Sequence, residues 1–134
     1  MSQPFQYLTS EQRESLRGLP FSVLLPTELP QGWQVEEFSS DTEEDGASFT
    51  LGIGKGKARL NFLATNEGIG DPPGGMRRSR HQHPELGEIK VEYEEDGDFL
   101  SDWIEVEGGW AAVGGSDTLD ADLDALIPLL ATAP

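Results

Sequence analysis

Phe49-Thr50-Leu51-Gly52-Ile53-Gly54-Lys55-Gly56-Lys57-Ala58-Arg59-Leu60-Asn61-Phe62 reads as two strands and the turn that joins them. Phe49, Leu51 and Ile53 alternate before Gly54-Lys55-Gly56, and Ala58, Leu60 and Phe62 alternate after it. Period-two spacing broken by glycine is the mark of an antiparallel pair with one buried face. The same glycine-rich run invites comparison with a phosphate loop and fails it. Leu51 stands where the first loop glycine belongs, and Ala58 where Ser or Thr would bind magnesium. Strand periodicity follows instead of a helix, so no helix N-terminus faces a phosphate.

The alternation extends in both directions. Upstream, Trp33 and Val35 share one face of a strand running to about Phe38, and Ser39 to Gly46 forms an acidic turn ending in Asp45-Gly46. Downstream, Ile89, Val91 and Tyr93 point one way, with Glu88, Lys90, Glu92 and Glu94 on the other side. Asp96-Gly97 turns the chain toward Trp103, Ile104 and Val106, and Gly108-Gly109 turns it into Trp110 to Val113. Glu-Glu-Asp-Gly occurs at Glu43 to Gly46 and again at Glu94 to Gly97, both where a hairpin turn is expected. Shared turn chemistry explains the repetition, because Asp-Gly suits the hairpin dipeptide.

Helical signals close the two ends. Thr9 with Gln12 three residues on is a capping box for a helix stopped by Gly18 and Pro20. Phe21 to Leu25 then reads as a strand, broken by Pro26, Pro30 and Gly32. From Asp117 onward, Leu119, Leu123, Leu126, Ile127 and Leu130 form one apolar stripe. Asp117, Asp120, Asp122 and Asp124 crowd its first half, where the helix dipole favours negative charge. Pro128 kinks or ends the last turn. The expectation is therefore one α+β domain spanning 1–134. An antiparallel sheet of about six or seven strands carries an N-terminal and a C-terminal helix on one face. A long irregular loop at about 66–85, rich in Gly and Pro, interrupts the sheet.

A chain of 134 residues suffices for one core without staples, and it contains no cysteine for disulfide or thiolate chemistry. The net charge is −16, from 25 Asp and Glu against 9 Lys and Arg. Such a body repels nucleic acid and anionic membrane, which removes both as expected partners. No apolar stretch is long enough to span a bilayer, and the start Met1-Ser2-Gln3-Pro4-Phe5 lacks a secretory signal pattern, so a cytoplasmic setting is expected.

The basic residues are unevenly placed. Arg77, Arg78 and Arg80, with His81 and His83, gather in the irregular segment, the one basic cluster of the chain. They either neutralise the acidic body or form a contact for a protein partner or anionic ligand. His81 and His83 flank Gln82 and offer half of a zinc site with Glu85 and Glu88 nearest, but nothing fixes further ligands and two exposed histidines are expected. Asp120-Ala121-Asp122-Leu123-Asp124 lacks the glycine and closing glutamate of a calcium loop. Trp33, Trp103 and Trp110 are candidates to line a pocket, though core packing is the simpler role. No nucleophile elbow is present, and neither histidine has an orienting partner in sequence. No cofactor motif stands out.

Two stretches carry a resemblance. Phe21 to Trp33 contains Pro26-Thr27-Glu28-Leu29-Pro30-Gln31-Gly32-Trp33, and Trp103-Ile104-Glu105-Val106-Glu107-Gly108-Gly109-Trp110 precedes Val113-Gly114 and the closing helix. Together they resemble a bacterial domain of unknown function at the C-terminal end of envelope and sporulation-associated proteins, similar to lipoprotein-sorting and anti-sigma regulatory domains. The opening is also similar to PsbP-like domains. The resemblance implies a noncatalytic sheet-plus-helix domain and carries over no functional residue. The expected function is a noncatalytic binding or accessory domain working through 66–85. The alternatives are an acidic chaperone-like dimer holding a basic client, marked by a large exposed apolar patch, and an enzyme using a carboxylate pair in a pocket near the tryptophans.

Overall fold

The computed structural model describes residues 5–43, 46–66, 77–94, 98–118 and 120–133, and the side chains of Glu43 and Arg77 are also outside the description. Helix α1, Ser10–Arg17, begins with the expected capping box. Thr9 Oγ accepts from the Gln12 backbone N–H at 3.1 Å, and the Thr9 N–H donates to Gln12 Oε1 at 2.9 Å. Gly18 caps the other end, and Leu16 is the residue that α1 buries.

Strand β1, Val23–Pro26, forms a two-stranded antiparallel sheet with β10, Leu130–Ala133. The main sheet contains β2 (Gln34–Glu43), β3 (Gly46–Lys55), β4 (Ala58–Thr65), β5 (Arg77–His83), β6 (Gly87–Tyr93), β7 (Phe99–Ser101), β8 (Ile104–Val106) and β9 (Gly109–Ser116). Its order is β2-β3-β4-β9-β7-β6-β5, with β8 paired to β9. Every pairing is antiparallel. The inner face carries the alternating residues expected of β3, β4 and β6: Leu51, Ile53, Leu60, Phe62, Ile89 and Val91 are all buried there. Leu123, Leu126 and Ile127 of the C-terminal segment join the same core.

The α+β class holds, but the described residues contain ten strands rather than six or seven. Three segments account for the difference. Residues 77–83 form β5, although they were expected in a loop, because their inward side chains are Ser79, His81 and His83 and show no apolar period. Leu130, expected on the C-terminal helix, begins β10 instead. Helix α2 spans only Asp120–Leu126, and a 3-10 turn at Ile127–Leu129 carries Pro128, which cannot continue an α-helix. The acidic turn expected at 39–46 is mostly strand, with β2 running to Glu43 and β3 starting at Gly46, while Glu44 and Asp45 lie outside the described residues. The helices also sit differently from expectation. Leu16 of α1 lines a crevice with Val23 of β1 and Ala133 of β10, whereas α2 is bonded to β3, β5 and β6 of the main sheet.

Candidate functional site

Strand alternation decides the fate of the basic cluster. On β5, Ser79 and His81 stand opposite Val91 and Ile89 on the inner face, while Arg78, Arg80 and Gln82 stand opposite Glu92, Lys90 and Glu88 on the outer face. The five residues Arg77, Arg78, Arg80, His81 and His83 therefore do not make one surface. Arg77 falls in register with Tyr93, and its side chain lies outside the described residues.

Both histidines are buried, which corrects the expectation of two exposed rings in a loop. His81 is 2% exposed. Its Nδ1 lies 2.6 Å from Asp124 Oδ1, and its Nε2 lies 2.8 Å from Ser79 Oγ. A carboxylate only accepts, so Nδ1 carries a proton and, in the neutral ring, Nε2 accepts from the Ser79 hydroxyl. His83 takes the other tautomer. Its Nε2 donates to the Leu130 carbonyl at 2.7 Å, and its Nδ1 accepts from the backbone N–H groups of Glu85 and Leu86 at 3.0 and 2.9 Å. All four ring nitrogens are thus engaged, and neither ring offers the half-site for zinc. Glu88 lies 3.7 Å from Arg80 rather than beside a histidine, and no group of three or more metal-ligating side chains exists among the described residues.

The order Ser79–His81–Asp124 is that of an acyl-transfer relay. Here it acts as a clasp. The histidine is sealed inside, the Asp124 side chain is 65% exposed, and none of the described cavities is lined by Ser79. The orienting partner lay 43 residues away in sequence, so sequence spacing carried no signal of it.

Arg78 and Arg80 face outward, with side chains 70% and 69% exposed. Arg78 Nε reaches Glu92 at 3.0 Å and Arg80 Nε approaches Glu88 at 3.7 Å. Strand β5 ends the sheet order, and among the described residues nothing pairs with its other edge. The direction of its backbone groups follows from the ladder. Asp102 N–H donates to the Lys90 carbonyl, so even-numbered residues of β6 face β7 and odd-numbered ones face β5. Ser79 and His81 therefore bond to β6, and the N–H and C=O groups of Arg78, Arg80 and Gln82 point to the open edge.

Among the described cavities, none is assembled by the tryptophans. Trp33 is buried in the core with the Lys55 ammonium 5.1 Å from its ring centroid. Trp103 and Trp110 are partly buried, and no described cavity is lined by any of the three. A carboxylate pair, Glu36 and Glu37, does line a cavity, but without a tryptophan and with Glu36 held by Arg59 Nε at 2.8 Å. The apolar patch that would mark a client-holding surface is missing among the described residues, where Leu86 is the exposed large hydrophobic residue.

One further arrangement was not legible in sequence. Glu37, Gly52, Asn61, Gly114 and Leu100 form a single cross-strand row over five strands of the outer face. Two adjoining cavities of about 360 and 280 Å³ open along it, sharing Asn61 and Ser116. Comparison of the chain with protein-family models, curated proteins and solved structures finds no match to any of them.

Proposed function

We propose that the chain is a noncatalytic binding domain of the cytoplasm, one that recognises an extended, carboxylate-bearing segment of a protein partner along β5. The observation that carries this reading is a sheet edge, unpaired among the described residues, whose outward side chains are Arg78 and Arg80. An extended segment laid on that edge gains main-chain hydrogen bonds from Arg78, Arg80 and Gln82, and side chains at alternate positions meet the two guanidinium groups. The ion pairs to Glu92 and Glu88 do not block this. The arginine side chains are 70% and 69% exposed, pairs at the surface contribute only about 0–1 kcal/mol, and a bidentate carboxylate from a partner is the stronger arrangement for arginine. The resemblance of the Pro26-to-Trp33 and Trp103-to-Trp110 stretches to noncatalytic sheet-plus-helix domains supports the same class.

The test uses fluorescence anisotropy with labelled peptides that alternate Glu or Asp with β-branched residues. Saturable binding is expected, and replacing Arg77, Arg78 and Arg80 by Ala should weaken it by about tenfold or more, a loss of about 1.4 kcal/mol. Unchanged affinity in the triple variant, or equal affinity for a neutral peptide, overturns the reading.

A further inference from the structure

The trough on the outer face has a chemistry that neither the core nor the β5 edge explains. Its floor is low because glycines occupy it. A Cβ at Gly52 would stand 3.0 Å from Asn61 Oδ1 and 3.2 Å from Glu37 Cβ, so the bare backbone lets both side chains turn in over it. A Cβ at Gly114 would press on Leu100 Cδ1 at 3.3 Å, and one at Gly54 would collide with the Glu36 carboxylate. The bulge between Val35 and Glu37 leaves Glu36 out of register, where its carboxylate meets Arg59. Bulges re-aim side chains in this way.

The polar groups along the trough are unequally committed. Arg59 is already engaged, bonding Glu36 through Nε and the carbonyls of Gly56 and Ala58 through Nη1. Glu37 has no ion-pair partner among the described residues, and the Asn61 amide makes no hydrogen bond among them. Asp98 lines the far end, and Leu63 and Leu100 give the stretch between an apolar wall. A surface with an uncompensated carboxylate at one end, an amide in the middle and a carboxylate at the other suits a ligand that brings positive charge spaced by methylene groups. An anion would meet Glu37 and Asp98 with only Arg59, itself paired with Glu36, as a cation among the lining residues, and a neutral polyol would leave the Glu37 charge uncompensated. The row from Glu37 to Leu100 crosses four strand spacings, about 19 Å at ~4.8 Å each.

We propose that this trough binds a linear aliphatic polyamine. Its ammonium groups pair with Glu37 and Asp98, Asn61 Oδ1 accepts from a central amine, and the methylene segments lie over Gly52 and Gly114 against Leu63 and Leu100. The net charge of −16 steers such a ligand inward from a distance. The site is separate from β5, so peptide binding and polyamine binding stand or fall independently.

Isothermal titration calorimetry with spermidine on the intact chain tests the proposal. One saturable site is expected, weakened about tenfold by Glu37→Gln or Asn61→Ala, equivalent to ~1.4 kcal/mol. Leu100→Lys, which places a positive charge in the trough, should abolish binding. Because any acidic protein attracts polyamines diffusely, Glu85→Gln on the exposed turn between β5 and β6 serves as the charge-matched control and should leave affinity unchanged. Circular dichroism of each variant confirms that it folds. Equal losses for Glu37→Gln and Glu85→Gln, a lack of saturation, or equal affinity for the short diamine ethylenediamine overturns the proposal.

Discussion

Tyr7 shows how one side chain ties an irregular segment to the fold. Its hydroxyl donates to the Pro26 carbonyl at 2.6 Å, where β1 ends, and burial pushes the phenol above its ordinary value. Because the folded value is the higher one, the unfolded chain ionises Tyr7 first as pH rises. The associated stability is present below the ordinary phenol pKa of about 10 and is lost as pH climbs above it. Tyr7→Phe is expected to cost about 1 kcal/mol at neutral pH through the lost hydrogen bond. It should also flatten the alkaline decline in stability, and urea titrations at a series of pH values read both effects. A decline equally steep in the variant would show that another group causes it.

At the scale of the element, α2 is too short to be stable alone. Its aspartates hold it to three strands. Asp120 Oδ1 accepts from Tyr93 OH of β6 at 2.7 Å, Asp122 Oδ1 from Lys55 Nζ of β3 at 2.7 Å, and Asp124 Oδ1 from the His81 ring of β5 at 2.6 Å. Charge at the first turn of a helix also favours the dipole, but a tertiary partner fixes where the helix docks. Among the described Lys and Arg ion pairs, Lys55–Asp122 is the best shielded, with side chains 39% and 17% exposed. A double-mutant cycle of Lys55→Met and Asp122→Asn should therefore give a coupling of about 1 kcal/mol, at the upper end for a surface pair. A coupling near zero would mean that apolar burial of Leu123 and Leu126 alone positions the helix.

Across the whole molecule, a charge of −16 means that self-repulsion opposes the compact state. The described ion pairs are mostly exposed and small in effect, so screening should relieve more repulsion than it removes attraction. Raising sodium chloride from about 0.01 M to 0.5 M shortens the screening length severalfold. It is expected to raise Tm by about 4 °C, the equivalent of ~1 kcal/mol in a domain of this size. Differential scanning calorimetry measures it directly, and a fall in Tm would show that specific pairs outweigh the repulsion. The outer face also has a direction that net charge conceals, from Glu36 and Glu37 at the β2 end to Arg78 and Arg80 at the β5 end.

Local patterns alone determined the Thr9 capping box, the β3–β4 hairpin around Gly56 and the buried face of Ile89, Val91 and Tyr93, because each depends on neighbours within a few residues. The acidic start of α2 was legible for the same reason, and so was its end near Pro128. Tertiary structure decided the rest. Strand β5 carries polar residues on both faces, and long-range partners, the Asp124 carboxylate and the Leu130 carbonyl, complete the local bonds that make His81 and His83 suitable for the inside. Leu130 follows the apolar stripe of the helix yet belongs to a strand, because β1 offers it a partner. The trough likewise depends on register, which places Gly52, Asn61 and Gly114 in one row although they come from three separate strands. Hydrogen-bond partners far apart in sequence leave no periodicity, so a chain can announce its strands while staying silent about which polar groups they bring together.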